Sequence, residues 1–231
     1  VGGGGWLGTL GALDFAGGAV VHMSSAASAL ACAIYLGKRS GYGKQSFIPH
    51  NLPLTVIGAA ILWFGWFGFN AGSALAANGL AASAFTTTHM AACAAAVGWM
   101  VVEWIHRGKP TTLGFVSGAV AGLVVITPAA GFVTVMPAIL MGLLGGAICY
   151  GGVLIKHLFK YDDALDVVGI HGLGGTWGAL ATGLFATKAV NELGNDGLFY
   201  GNPGLLWNQF VSVAATWAFC FVMTMVLLKV V

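Results

Sequence analysis

Two aspartate–histidine pairs recur in this chain at one spacing. Asp14 stands eight residues before His22, and Asp163 stands eight residues before His171. In both copies the carboxylate opens an apolar run and the imidazole lies deep inside it. An aspartate at a helix start can cap free backbone N–H groups and face the positive end of the dipole. A neutral imidazole carries one donor and one acceptor nitrogen, so it can bind a neutral amine or pass a proton. Ionisable residues inside apolar spans are rare, and they mark substrate or proton pathways more often than not. Two bland alternatives stand beside this reading. Each histidine can be a buried polar residue satisfied by a neighbouring carbonyl, and residues 15–21 and 164–170 share little beyond the spacing.

The bulk composition defines the solvent. Of 231 residues, 58% are hydrophobic and only 7% charged, against about 25% charged in a soluble domain. Such a chain cannot cover its surface with polar groups, so the bilayer is its expected surrounding. A net charge of +2 without a basic tract excludes nucleic acid as a partner. Cys32, Cys93, Cys149 and Cys220 lie within apolar runs without metal-like spacing. They read as small buried hydrophobes, with neither a metal site nor a disulfide expected.

A membrane span needs about 20 mainly apolar residues. Seven stretches qualify, at 15–36, 53–75, 80–105, 111–128, 135–158, 167–186 and 205–231, within a single transmembrane domain over 1–231. The boundary near Gly131-Phe132-Val133 is the softest. With seven spans the connections alternate sides. Lys38, Arg39, Lys44, Arg107, Lys109, Lys156, Lys160 and Lys229 then share one side and Lys188 falls alone on the other. The positive-inside rule makes the first set cytoplasmic, so the first span runs inward. No Met opens the chain and both ends look cut, so a piece of a longer protein, incomplete at both ends, is expected. The 37 glycines often fall at small-xxx-small spacing, as in Gly114/Gly118/Gly122 and Gly172/Thr176/Ala180, which predicts close helix packing in lipid.

The first and sixth spans enter from opposite sides, so the two Asp–His elements have inverted orientation, as inverted repeats with a midplane site require. Eight helical residues rise about 12 Å, near half of a ~30 Å hydrocarbon core. Two imidazoles coming from opposite faces therefore meet near the middle.

These stretches, with Pro49-His50-Asn51-Leu52-Pro53, the segment Gly65-Trp66-Phe67-Gly68-Phe69-Asn70-Ala71-Gly72-Ser73, residues 118–128 and Gly169-Ile170-His171-Gly172, resemble the ammonium transporter (Amt/Mep/Rh) family. The resemblance covers essentially the whole chain and corresponds to about the fifth to the eleventh span of that fold. It implies an all-α, polytopic membrane helix bundle, part of an 11-helix inverted-repeat transporter. It further implies a homotrimer in the plasma or inner membrane and a PII-type cytoplasmic regulator as partner. By resemblance His22 and His171 match paired pore histidines, Phe69 one of two phenylalanines closing the outer mouth, and Trp66 a pore-wall residue. Ser73 matches a hydroxyl of the outer recruitment site. Asp14 matches a carboxylate beside that site acting structurally and electrostatically, and Asp163 its repeat partner. The second mouth phenylalanine of the family falls upstream of Val1. Its usual outer tryptophan has only Val1 and Gly2 as nearest counterparts.

Independently of the family, a bare cation costs tens of kcal/mol to bring into low dielectric in the Born limit, and several after relaxation. An aromatic face returns about 2 kcal/mol. Trp66, Phe67, Phe69 and Ser73 can therefore hold ammonium at a wet mouth but not carry it across. Neutral ammonia crosses beside neutral imidazoles, and potassium, having no proton to lose, is rejected. The expected function is thus an ammonium/ammonia transporter, not an enzyme and without cofactor: ammonium is recruited outside, deprotonated, and conducted past the twin histidines, with the proton relayed along them. The alternatives are an ammonium sensor and a Rh-like gas channel. A metalloenzyme using His22 and His171 lacks a third ligand at their depth. Of the remaining histidines, His50, His106 and His157 are expected to be interfacial anchors, and His89 to make an interhelical hydrogen bond. Trp99, Trp104, Trp207 and Trp217 are expected to pack or anchor, and Asp162, Asp163 and Asp166 to cap the following helix.

Overall fold

The structure is a computed structural model describing residues 4–45 and 47–231. Val1 and Gly2, the counterparts of the family's outer tryptophan, lie outside the described residues. The described chain is all-α. A short helix α1 (Trp6–Thr9) is followed by α2 (Ser24–Leu36), α3 (Leu52–Gly72), α4 (Gly79–Arg107), α5 (Thr112–Ile126), α6 (Val135–Phe159), α7 (Leu173–Phe185) and α8 (Pro203–Val230). Two π-helical turns, Gly18–Met23 and Val168–Gly172, lead directly into α2 and α7. With its π-turn, the first of these makes one span-length helix, Gly18–Leu36; this and α3, α4, α6 and α8 are long and apolar enough to cross a membrane. At 15 residues, α5 is apolar but shorter.

Local chemistry starts the helices where it does. Asn51 accepts from Leu54 N, with a proline in the first turn of α3, and Asn78 accepts from Ala81 N at the start of α4. The buried Glu103 carboxylate of α4 accepts from the backbone N and hydroxyl of Thr111, while the Thr111 hydroxyl accepts from Gly114 N. The turn between α4 and α5 is thereby closed with its polar groups paired, as burial demands.

Helices α4, α5 and α6 approach at glycines. A Cβ on Gly118 would lie 2.6 Å from Trp99 Cβ and 2.9 Å from Ala95 O. Gly98, Gly122, Gly142 and Gly146 likewise face backbone of a neighbouring helix with no room for a side chain. Gly172 is crowded by a side chain instead, the Trp217 ring of α8 at 2.9 Å. Attraction between α4, α5 and α6 comes from backbone-level packing, since apolar burial alone does not distinguish a helix face from lipid. Residues 127–133, the soft boundary of the sequence reading, form a fully buried turn in which the Phe132 ring meets Phe15 edge-on at 5.6 Å.

Basic loops gather at one end of the bundle. Arg39 donates from Nε and Nη2 to the two carboxylate oxygens of Asp162, and Lys156 pairs with Asp166. Of the three aspartates expected to cap, only Asp163 does so; Asp162 and Asp166 are held by cations instead, because only Asp163 stands where the first free N–H groups point. The four cysteines are free, but only Cys149 is buried; Cys32 and Cys220 are partly covered and Cys93 is exposed. An apolar run in a bilayer protein has a lipid face as well as a core, which corrects the buried reading for three of them.

Candidate functional site

The site grows from two capped turns. Asp14 accepts through one oxygen from Gly17 N and Gly18 N and through the other from Ala19 N and Val20 N. Asp163 accepts from Val167 N and Val168 N. Both carboxylates thus bind the amides four and five residues ahead, at the mouth of a π-helical turn that ends beside a histidine. Such turns are rare and concentrate at functional sites. Gly17 permits the first one, with φ +117° at its entry. A Cβ on Gly18 would strike the Pro128 ring at 2.7 Å.

The two turns arrive from opposite ends and their imidazoles meet. His22 Nδ1 and His171 Nδ1 lie 3.2 Å apart, with ring centroids at 5.2 Å. One nitrogen must carry the proton and the other the lone pair. His22 is 2% exposed and its Nε2 has no hydrogen-bond partner among the described residues.

Aromatic groups of α3 pack on His22. Trp66 stacks on His22 at 5.2 Å and 21°, and Phe69 meets the same imidazole edge-on at 6.0 Å. Trp66 Nε1 donates to the Thr127 hydroxyl at 3.0 Å, which in turn donates to Leu123 O. Ser73 lies one turn beyond Phe69, donates to Phe69 O, and joins Asp14, Phe15 and Gly17 around a cavity of about 260 Å³. Trp66, Phe69 and Ser73 share a helix face because they follow the 3, 4, 7 pattern of an α-helix. Phe67 does not: one residue after Trp66, it points about 100° away and stacks on Phe85 at 3.9 Å. It is removed from the expected recruitment group.

At the end bearing the basic loops, a second cavity of about 1430 Å³ reaches from Arg39, Arg107 and Lys156 to Tyr150 and Ile170, the neighbour of His171. Among the other histidines, His50 and His157 are exposed, whereas His106 Nδ1 pairs with the Tyr150 hydroxyl at 2.6 Å and is no simple anchor. Among the described residues His89 makes no hydrogen bond to another helix. Its Nε2 lies 3.8 Å from Cys93 Sγ, one turn on, and its ring packs against Trp63 and Phe67. Among the described residues no three His, Cys, Asp or Glu side chains are grouped to hold a metal.

Sequence reasoning missed Thr127. It belongs to a Thr-Pro pair that signals only the end of a helix, and nothing in the sequence says which indole it will meet.

A family model described as Ammonium Transporter Family matches residues 1–231. The chain is 59% identical over 230 residues to an ammonium transporter of Bacillus subtilis, covering 99% of this chain and 56% of the relative. It is 55% identical to Ammonium transporter Amt1 of Archaeoglobus fulgidus, over 99% of this chain and 58% of the relative. Among solved structures, Candida albicans Mep2 superposes with a TM-score of 0.93 at 40% identity, covering 99% of this chain and 52% of that one. The chain therefore spans little more than half the length of these relatives.

Proposed function

Since this chain belongs to the ammonium transporter family, we propose that it supplies the twin-histidine conduit of a membrane protein that moves ammonium, and that ammonia is the species that crosses. The multi-pass helical fold and the relatives named as ammonium transporters support this reading. The observation that carries it is the His22–His171 contact at 3.2 Å, with Trp66 and Phe69 packed on His22.

Ammonium is drawn to the cavity beside Asp14 and Ser73 at the outer end. The carboxylate contributes field rather than contact, because both of its oxygens already accept from backbone amides. Phe69 and Trp66 lie next along the path, and cation–π attraction of about 2 kcal/mol cannot replace the hydration the ion would lose there. The ion divides into ammonia and a proton. Ammonia passes as a neutral donor–acceptor beside His22 and His171, then reaches the wide cytoplasmic cavity. The proton moves separately along the imidazole pair, whose nitrogens exchange donor and acceptor roles. Asp163 holds the second turn as Asp14 holds the first.

Residence in the plasma or inner membrane as a homotrimer, with a PII-type regulator at the basic face, belongs to the same proposal. Only 6% of the apolar stretch of α3 is buried within this chain, which supports cover by lipid or further protein.

The test is uptake of methylammonium by the complete protein in liposomes, with current recorded at once. Saturable uptake that ammonium inhibits and potassium does not is the expected result; a correctly folded protein without saturable uptake refutes the transport reading.

A further inference from the structure

The segment leading into the first π-turn is not held by its own helix. Leu13, Asp14, Phe15 and Ala16 run without helical bonding, yet Asp14 and Phe15 wall the outer cavity. Two groups from distant chain clamp this segment. On one side Phe15 N donates to Pro128 O and Ala16 N to Thr127 O. On the other, the side chain of Gln209 in α8 pairs with the backbone of Leu13 as a strand would. Leu13 N donates to Gln209 Oε1 and Gln209 Nε2 donates to Leu13 O, both at 2.8 Å. The second Nε2 hydrogen reaches Ala179 O of α7 at 2.9 Å. Gln209 is 1% exposed, and its carbonyl and both amide hydrogens are in use.

We propose that Gln209 is a positioning residue for the outer ammonium site: by fixing Leu13 it sets where the neighbouring Asp14 carboxylate stands relative to Ser73. A buried primary amide is an expensive choice for holding helices together, since an apolar side chain of the same size packs as well without hydrogen bonds to satisfy. Its geometry matches one backbone residue, the one before the carboxylate. Apart from a protonated carboxyl, the other common side chain that offers a donor and an acceptor side by side without charge is asparagine, which is one methylene shorter. The inference rests on the transport reading above for the role of the cavity, while the clamp itself stands on the hydrogen bonds.

The experiment uses the full-length transporter in liposomes with Gln209→Met, which keeps the volume and removes the bonds, and Gln209→Glu. Hydrogen exchange is followed over residues 13–20 against residues 135–159, and methylammonium uptake is measured against concentration. In Gln209→Met, exchange over 13–20 accelerates alone and KM rises about tenfold with Vmax retained, the factor expected for one buried hydrogen-bonded group. In Gln209→Glu, KM measured relative to wild type recovers at acidic pH, where the protonated carboxyl again presents a donor beside an acceptor. That arm also serves if the methionine variant does not fold. Unchanged exchange over 13–20, faster exchange with an unchanged KM, or a Glu variant whose relative KM ignores pH overturns the proposal. Absence of saturable uptake in the wild type refutes the transport reading and the recruitment role with it, and the exchange data then decide the clamp alone.

Discussion

His22 Nδ1 and His171 Nδ1 lie 3.2 Å apart although 149 residues of chain separate them. Each is delivered by a π-helical turn whose entry amides bind an aspartate carboxylate. The pair can hold one proton between its two facing nitrogens, and a second there would set two N–H donors against each other. A neutral, singly bridged pair is the state the geometry favours.

Replacing either His22 or His171 by leucine therefore abolishes ammonium-evoked current while leaving the bundle folded, because leucine fills similar space but carries no proton. The measurement is current in liposomes of matched protein density. Wild-type current in both variants would sink the relay.

Thr127→Val keeps the shape of the side chain and removes the acceptor for Trp66 Nε1. A buried indole N–H left unpaired costs about 1–3 kcal/mol. The thermal unfolding midpoint in detergent falls, and Thr127→Ser restores most of the loss. An unshifted midpoint in the valine variant would show that Trp66 is held by packing alone.

Gly118→Val places new carbon where Trp99 Cβ and Ala95 O already stand at 2.6 and 2.9 Å from a Cβ position. Overpacking of this kind costs about 1–3 kcal/mol or more, and here the obstacle includes backbone. Monodisperse yield on size exclusion drops sharply. Gly151→Val, at an exposed glycine with open space around it, leaves the yield unchanged.

The Arg39 guanidinium, through its hydrogen bonds, holds the Asp162 carboxyl below the usual carboxylate range. A lowered acid contributes stability that is present above its ordinary pKa of about 3.9 and lost as pH falls through the lowered value. Protection of the 37–51 loop against proteolysis is accordingly constant from neutral pH down to about pH 4 and fails only in stronger acid. Asp162→Asn loses that protection at neutral pH. Equal cleavage of the two proteins at pH 7 would show that the ion pair does not restrain the loop.

Apolar runs broken by Gly, Pro and charge signal helices, five of which among the described residues are long and apolar enough to cross a membrane, because backbone polar groups in hydrocarbon must be paired within the protein. The Asp-x7-His spacing could be read in the same way, since a capping carboxylate and a buried imidazole are both unusual at their positions. Phe67 was not separable from Trp66 and Phe69 by composition, only by helical phase; the structure turns it onto Phe85. His106 and His89 were equally opaque, because a histidine near a span end has the same letter whether it meets Tyr150 or its own helix.

What the sequence determined by itself is therefore the solvent, the elements and the two polar intrusions into them, all of which follow from residues near one another in the chain. Tertiary structure decided which groups meet: the imidazoles facing across the bundle, Thr127 beneath Trp66, and Gln209 against Leu13, 196 residues away. Those pairings depend on how far glycine lets helices approach and on the rotation of each about its axis. Neither quantity is local, so no window of sequence contains it.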